Sequence, residues 1–153
     1  MMATKTVKLP EFDLELSGGG RLTNADLLGR RSILYFYPKD DTPGCTLEGQ
    51  DFSRLLSEFQ RREVAVYGVS PDSAKSHDKF AAKCNLSVPL IADPDKVLCG
   101  HLGVWGEKSM YGRTYMGVER STFLIDEKGQ VAREWRSVKA TGHAQAVLDA
   151  LDG

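Results

Sequence analysis

The sequence contains no long apolar run, no excess of basic residues and few cysteines. No segment has the run of about 18 consecutive apolar residues that a membrane span needs. Residues 1–10 lack the apolar core of a secretion signal. A formal net charge of -1, with lysines and arginines scattered along the chain, argues against a nucleic-acid partner. We therefore expect a cytoplasmic protein that has neither a membrane nor a nucleic acid as partner.

The three cysteines, Cys45, Cys84 and Cys99, are an odd number and lie far apart in the sequence. Such a set makes a poor disulfide framework and fits free thiols in a reducing compartment. The three histidines of the chain do not show the tight spacing of zinc ligands. We therefore expect no metal and no other cofactor.

The length and composition are those of an ordinary globular protein. At 153 residues, 41% of them hydrophobic and 27% charged, the chain can bury a core without disulfides or a structural metal. No repeat or low-complexity tract interrupts it, so we expect one domain over residues 1–153.

Hydrophobic patterning predicts an α/β fold, with strands alternating with helices early and a hairpin late. The predicted strands cover residues 12–16, 32–37, 64–70, 88–92, 121–125 and 130–136. The predicted helices are one turn over 24–28, an amphipathic helix marked by Phe52, Leu55, Leu56 and Phe59, a polar helix over 74–84, a short helix ending at Leu102, and a last helix over 142–151. The glycines at 18–20 and the segment 126–129 are expected to be turns. Together these elements predict a mixed central sheet flanked by helices, with an N-terminal hairpin extension.

The junction between the strand at 32–37 and the next helix carries a cysteine in a reactive position. Thr42 is a suitable N-cap residue whose hydroxyl can accept a backbone N–H of the first turn, and Pro43 suits the first helical position. Cys45 then falls in the first turn, near unpaired N–H groups and the positive end of the helix dipole. Such a site favours the thiolate, the nucleophilic form of a cysteine. The alternative is that Cys45 is only a small buried apolar residue.

The run Pro38-Lys39-Asp40-Asp41-Thr42-Pro43-Gly44-Cys45 resembles the active-site signature of peroxiredoxins. The fuller string from Thr42 to Glu48 is similar to the peroxiredoxin Q group, also called bacterioferritin comigratory proteins. Residues 103–108, 111–112 and 120–126 follow that group in order, so the resemblance covers about residues 12–151.

The resemblance implies a thioredoxin-like fold and a thiol-dependent peroxidase that reduces hydrogen peroxide and organic hydroperoxides. Cys45 would be the peroxidatic thiolate that becomes a sulfenic acid. Thr42 would hydrogen-bond the thiolate and the peroxide. Arg120, on a later strand, would favour the thiolate and stabilise charge as the O–O bond breaks. Pro38 would shield the sulfur, and the N–H groups of Gly44 and Cys45 would be further donors.

Each of these residues also has a purely structural interpretation. Thr42 caps a helix whatever the function, Pro38 ends a strand, and Arg120 could be a surface charge. Glu48, one helical turn after the cysteine, could fix Arg120 in place or only favour the start of the helix. The sequence leaves these alternatives open.

Turnover requires a second thiol, and here the sequence departs from the family. In some relatives the resolving cysteine lies five residues after the peroxidatic one, which is Gln50 here, and in others about 36 residues after it, which is Ala81. Cys84 lies one helical turn beyond Ala81 and is the candidate resolving cysteine, provided that its helix unwinds. Cys99 is expected to be a core thiol. A one-cysteine mechanism with an external thiol is the alternative.

Two other functions are compatible with a reactive Cys45. A thiol–disulfide oxidoreductase would need a second cysteine three residues later, where Glu48 stands. A redox-sensing or holdase module would use oxidation of Cys45 without fast turnover. The resemblance instead implies a hydroperoxide substrate, thioredoxin or a similar thiol as reductant, and a monomer.

Overall fold

A computed structural model describes residues 7–152, with the side chain of Met110 outside the description. The helices are α1 (Pro43–Arg54), α2 (Leu56–Arg61), α3 (Ala74–Cys84), α4 (Val97–His101) and α5 (His143–Leu151), and a 3₁₀ turn covers Asn24–Leu27. The strands are β1 (Asp13–Glu15), β2 (Arg21–Thr23), β3 (Arg31–Phe36), β4 (Val64–Ser70), β5 (Leu90–Ala92), β6 (Trp105–Met110), β7 (Arg113–Val118), β8 (Ser121–Ile125) and β9 (Val131–Trp135). Among these residues, no helix has the length and apolar character needed to cross a membrane.

Five strands form the central sheet in the order β5-β4-β3-β8-β9. Strands β3, β4 and β5 are parallel, whereas β8 runs antiparallel to both β3 and β9. This register pairs Phe36, the last residue of β3, with Val69 on one side and Ser121 on the other. The segment after β3 therefore lies beside the segment before β8, although the two are far apart in sequence.

Strand β3 is buried on both faces, as its continuous apolar sequence predicts. Ile33, Tyr35 and Tyr37 belong to the hydrophobic cluster that contains Cys45 and residues of α1, α3 and α5. Leu34 and Phe36 point to the second cluster, on the opposite face of the sheet. The mixed sheet with helices around it confirms the predicted α/β class.

Most predicted elements are present, but the helix after the cysteine is not continuous. Phe52, Leu55 and Phe59 are buried as the period predicts. However, α1 ends at Arg54, and Leu55 leaves the helical conformation with φ -94° and ψ 1° before α2 begins. A hydrophobic period records which face is buried and carries no information on such a break. Helix α3 has the predicted bounds, residues 74–84.

Two hairpins extend from the central sheet. The predicted N-terminal one consists of β1 and β2, joined through Gly18 and Gly19, which both have positive φ. The second, β6–β7, was not predicted from the sequence. Its tip is Tyr111-Gly112, with φ of 53° and 77°, the backbone that a two-residue hairpin loop needs. Because Tyr111 is 97% exposed and most of β7 is also exposed, the alternation that marks a half-buried strand is missing.

Candidate active site

Cys45 lies in the first turn of α1, where the sequence places it. The helix begins at Pro43, and the amide of Thr46 makes the first helical hydrogen bond to the carbonyl of Thr42 at 2.8 Å. The N–H groups of Gly44 and Cys45 precede this bond and have no acceptor within the helix. Cys45 is 2% exposed and packs in the hydrophobic cluster that also contains Tyr35. The sulfur is thus held in a nearly dry site at the positive end of a helix.

Thr42 occupies the N-cap position, but its hydroxyl does not cap the helix as predicted. It donates a hydrogen bond of 2.9 Å to the carbonyl oxygen of Lys39. Within residues 7–152, it accepts no hydrogen bond from an N–H of α1. The reason is the left-handed backbone of Asp41 (φ 61°), which turns the chain back so that the Lys39 carbonyl comes within reach. The hydroxyl oxygen still has lone pairs to offer to a proton donor.

Arg120 contacts the cysteine, although it precedes β8 rather than lying on the strand as predicted. Its Nη2 donates to Sγ of Cys45 at 3.4 Å, and its Nη1 donates to Oε1 of Glu48 at 2.5 Å. The pairing of β3 with β8 brings these partners together. Burial by itself lowers the pKa of Arg120, but the charges of Glu48 and Cys45 outweigh that effect and raise it. The guanidinium therefore stays charged beside the sulfur.

Glu48 is fully buried one turn after Cys45 and holds Arg120 in place. The sequence left open whether Glu48 fixes Arg120 or only favours the start of the helix, and in the structure it contacts Arg120. Burial raises the pKa of Glu48 to about 7, and the charge of Arg120 opposes this rise. Its second oxygen, Oε2, has no hydrogen-bond partner in the described part of the chain.

Gly44 allows the guanidinium to approach α1. A Cβ at this position would lie 3.0 Å from Nη2 of Arg120, which is tighter than an ordinary contact. Pro38 is half-buried just beyond the end of β3, on the same stretch of chain as Thr42. Its shielding of the sulfur stays a prediction.

The other two cysteines lie in different environments. Cys84 is the half-buried last residue of α3 and lines a surface cleft of about 370 Å³ together with Gln50, Ser53 and Arg54 of α1. The side-chain amide of Gln50 donates to the Cys84 carbonyl at 3.4 Å. Cys99 is fully buried in α4, and burial and the charge of Asp93 raise its pKa far above the ordinary value. All three cysteines are free thiols.

The histidines have other partners than a metal. His77 bonds to the carboxylate of Asp40, His101 to the carbonyl of Lys8, and His143 to the hydroxyl of Thr122. In the residues that the structure covers, no group of three or more His, Cys, Asp or Glu side chains could hold a metal ion. Burial and the charge of Arg120 lower the pKa of His143 to about 4, so this ring is neutral.

Sequence reasoning missed the buried polar network of Asp40 and His77 beside the active-site segment. Their side chains meet at 2.7 Å although 37 positions separate them. The only signal in the sequence was a histidine on the face of α3 that also carries the buried Phe80. Such a residue does not by itself indicate its partner.

Comparisons with known proteins show the family of this chain. The AhpC/TSA family matches residues 6–134. The chain is 49% identical to peroxiredoxin Bcp of Xanthomonas campestris over 98% of its length and 96% of the relative's. It is 46% identical to a putative peroxiredoxin Bcp of Helicobacter pylori over 93% of each chain.

Solved structures show the same fold. A structure of the Xanthomonas campestris bacterioferritin comigratory protein, studied for its alkyl peroxide reduction activity, superposes with a TM-score of 0.87 at 50% identity, covering 92% of this chain and 90% of that one. Xylella fastidiosa peroxiredoxin Q gives a TM-score of 0.88 at 41% identity over 98% of each chain. These matches confirm the thioredoxin-like fold. By sequence and structure, this chain belongs to the AhpC/TSA family as a peroxiredoxin of the Bcp or Q group, and it is a thiol-dependent peroxidase.

Proposed function

We propose that Cys45 is the peroxidatic thiolate, acting on hydrogen peroxide and organic hydroperoxides. The observation that carries this proposal is the guanidinium of Arg120, which bridges Sγ of Cys45 and the buried carboxylate of Glu48. A fixed positive charge and the first-turn N–H groups of α1 both favour the anionic form of the sulfur.

The sulfur attacks the terminal oxygen of the hydroperoxide. An S–O bond forms and the O–O bond breaks, and the leaving oxygen takes the electron pair and a proton to give water or an alcohol. Cys45 is left as a sulfenic acid. Arg120 and the N–H groups of Gly44 and Cys45 stabilise the charge that develops on the oxygens. Thr42 can donate its hydroxyl proton to the peroxide once it leaves the Lys39 carbonyl, and Pro38 covers the sulfur from the solvent side.

Replacement of the nucleophile tests this assignment. Cys45→Ser should abolish peroxide consumption in stopped-flow measurements while the fold survives, because serine is not ionised near neutral pH. Cys99→Ala is the matched control and should retain the activity, since this thiol is buried in the hydrophobic cluster on the other face of the sheet from Cys45. Peroxide loss by the wild type no faster than with free cysteine, or full activity in Cys45→Ser, would refute the assignment.

We propose Cys84 as the resolving thiol. Its thiolate would attack the sulfenic sulfur, with formation of the S–S bond and release of the oxygen as water. Partial exposure, a cleft shared with α1 and a position at the end of a helix, where unwinding costs least, support this role. Full burial and a raised pKa argue against Cys99.

Mass spectrometry after one equivalent of peroxide distinguishes the two mechanisms. A linked Cys45–Cys84 peptide, absent in Cys84→Ser and retained in Cys99→Ala, is the expected result. A sulfenic acid that persists on Cys45 in the wild type would instead establish one-cysteine chemistry with an external thiol.

We further propose thioredoxin as the physiological reductant, a monomeric state and a cytoplasmic location. A disulfide between Cys45 and Cys84 would suit a dithiol reductant, and free thiols suit a reducing compartment. Peroxide turnover coupled to thioredoxin and its reductase, compared with turnover supported by a monothiol, tests the reductant. Light scattering of the protein in solution tests the monomeric state.

A further inference from the structure

A buried polar network ties the active-site turn, residues 38–42, to helix α3. The carboxylate of Asp40 accepts hydrogen bonds from the hydroxyl of Tyr37 at 2.6 Å and from that of Ser76 at 2.8 Å, and it meets Nδ1 of His77 at 2.7 Å. The side chains of Asp40 and His77 are 4% and 0% exposed. Tyr37 belongs to the chain that enters the turn, whereas Ser76 and His77 belong to the first turns of α3.

Both ring nitrogens of His77 are engaged in this network. Nδ1 meets the Asp40 carboxyl, and Nε2 lies 2.9 Å from the carbonyl oxygen of Ile91. The ring is thus fixed between the active-site turn and β5. Burial alone would raise the pKa of Asp40, but the hydrogen bonds from His77 and Tyr37 lower it below the ordinary value.

Two more contacts hold the same turn. The backbone N–H of Asp40 donates to Asp72, in the loop before α3, at 2.8 Å. The carboxylate of Asp41 binds Nζ of Lys83 at 2.8 Å, on the exposed surface and next to Cys84. The turn is thus fastened to both ends of α3.

This fastening affects the oxidised enzyme, because Cys45 is 2% exposed. A sulfenic acid at such a site cannot meet a second thiol, from this chain or from outside, unless the first turn of α1 moves. The active-site turn leads directly into α1, so that movement requires residues 38–42 to leave α3.

We propose that Asp40 and His77 are positioning residues whose buried hydrogen-bonded pair sets how fast oxidised Cys45 becomes accessible to a thiol. The inference rests on the proposed role of Cys45 as the peroxidatic residue. Weakening the pair favours the open state, and it gives peroxide less time to oxidise the sulfenic acid further to sulfinic acid.

The test compares two rates in a Cys84→Ser background, which removes the internal resolving thiol. One is formation of the Cys45 sulfenic acid with hydrogen peroxide, and the other is reaction of that acid with 2-mercaptoethanol. Ser76→Ala and Asp40→Asn should each raise the thiol rate by about tenfold, as expected for loss of a hydrogen bond to a charged group. Lys83→Gln removes an exposed pair and should raise it only about twofold.

Two matched controls separate this effect from general destabilisation. Lys79→Gln removes an exposed charge from the same helix, and Ile125→Val weakens the core in β8. Neither should change the thiol rate by more than about twofold. Amide hydrogen exchange of residues 39–45 in the reduced protein, which involves no reaction of Cys45, should be faster in Ser76→Ala and Asp40→Asn than in either control.

An unchanged thiol rate and unchanged exchange in Ser76→Ala would overturn the proposal, even if Asp40→Asn does not fold. An equal increase in Ile125→Val would overturn it too, because the effect would then follow overall stability. Failure of the proposed function is distinguishable: the parent protein would form no sulfenic acid on Cys45, while the exchange measurement would still report on the contact of Asp40 with His77.

Discussion

The unfolding free energy of this protein should change little between pH 4.5 and 6.5, because two buried groups near Arg120 titrate with opposite effects. Burial raises the pKa of Glu48 from 4.5 to about 7. Burial and the charge of Arg120 lower the pKa of His143 from 6.5 to about 4. Each shift is a difference between folded and unfolded states and therefore makes stability depend on pH.

For Glu48, the unfolded chain loses its proton near pH 4.5 and the folded chain only near pH 7. The folded state binds the extra proton in this window, so stability is fully present below pH 4.5 and falls as the pH rises to 7. A shift of this size corresponds to about 3 kcal/mol.

For His143, the unfolded chain binds a proton below pH 6.5 and the folded chain only near pH 4. Stability is therefore present above pH 6.5 and is lost as the pH falls to 4, again by about 3 kcal/mol. Where the two pH ranges overlap, the slopes of unfolding free energy against pH that come from Glu48 and His143 cancel. A flat profile in the wild type would thus hide two opposing titrations.

Urea unfolding at closely spaced pH values, with Glu48→Gln and His143→Gln, separates the two groups. Glu48→Gln should become more stable by about 3 kcal/mol from pH 4 to 6.5, since of the two shifted groups only His143 remains. His143→Gln should lose about the same amount from pH 4.5 to 7. The slopes are compared rather than the absolute stabilities, because each substitution also changes packing and hydrogen bonds.

The exposed Glu134 provides the matched control. Glu134→Gln removes the same charge without removing a buried carboxyl, and its profile should run parallel to that of the wild type. A Glu48→Gln profile that also runs parallel to the wild type would refute the argument, because it would mean that Glu48 titrates alike in the folded and unfolded chains.

Two further predictions concern glycines that make room for the side chains of the site. Gly44→Ala should lower kcat/KM by about tenfold in stopped-flow assays, because its Cβ would lie 3.0 Å from Nη2 of Arg120 and displace a charge-assisted hydrogen bond; unchanged activity would show that the guanidinium adjusts freely. Gly68→Ala should lower the unfolding free energy by about 1–3 kcal/mol in urea, because its Cβ would meet the ring of Tyr35 at 2.7 Å. Gly100→Ala, with nothing within 4 Å, is the control and should not be destabilised.

Local sequence determined most of the elements and the place of Cys45 in the first turn of α1. Pro43 fits only the first turn of a helix, so the place of Cys45 followed from counting residues. Helix α3 and strand β4 have the predicted bounds, because capping residues and continuous apolar runs act over short distances. The helix break at Leu55 and the exposed hairpin β6–β7 escaped prediction, since hydrophobic patterning carries no signal for either.

Only the tertiary structure decided the partners of the site residues. From the sequence, Glu48 could be either a charge that favours the helix start or a partner of Arg120. The pairing of β3 with β8 brings Glu48 and Arg120 together. The hydroxyl of Thr42 binds Lys39 rather than α1, because Asp41 reverses the chain.

The hydrogen-bonded pair of Asp40 and His77 depends on the same kind of long-range placement. Each residue is an ordinary polar side chain in its own segment, and its partners are contributed by other elements. Propensity and periodicity are properties of neighbours along the chain, whereas hydrogen-bond partners and pKa shifts are properties of neighbours in space. The sequence by itself therefore placed Cys45 at the start of a helix, and the packing of α1, α3 and β8 determined what surrounds its sulfur.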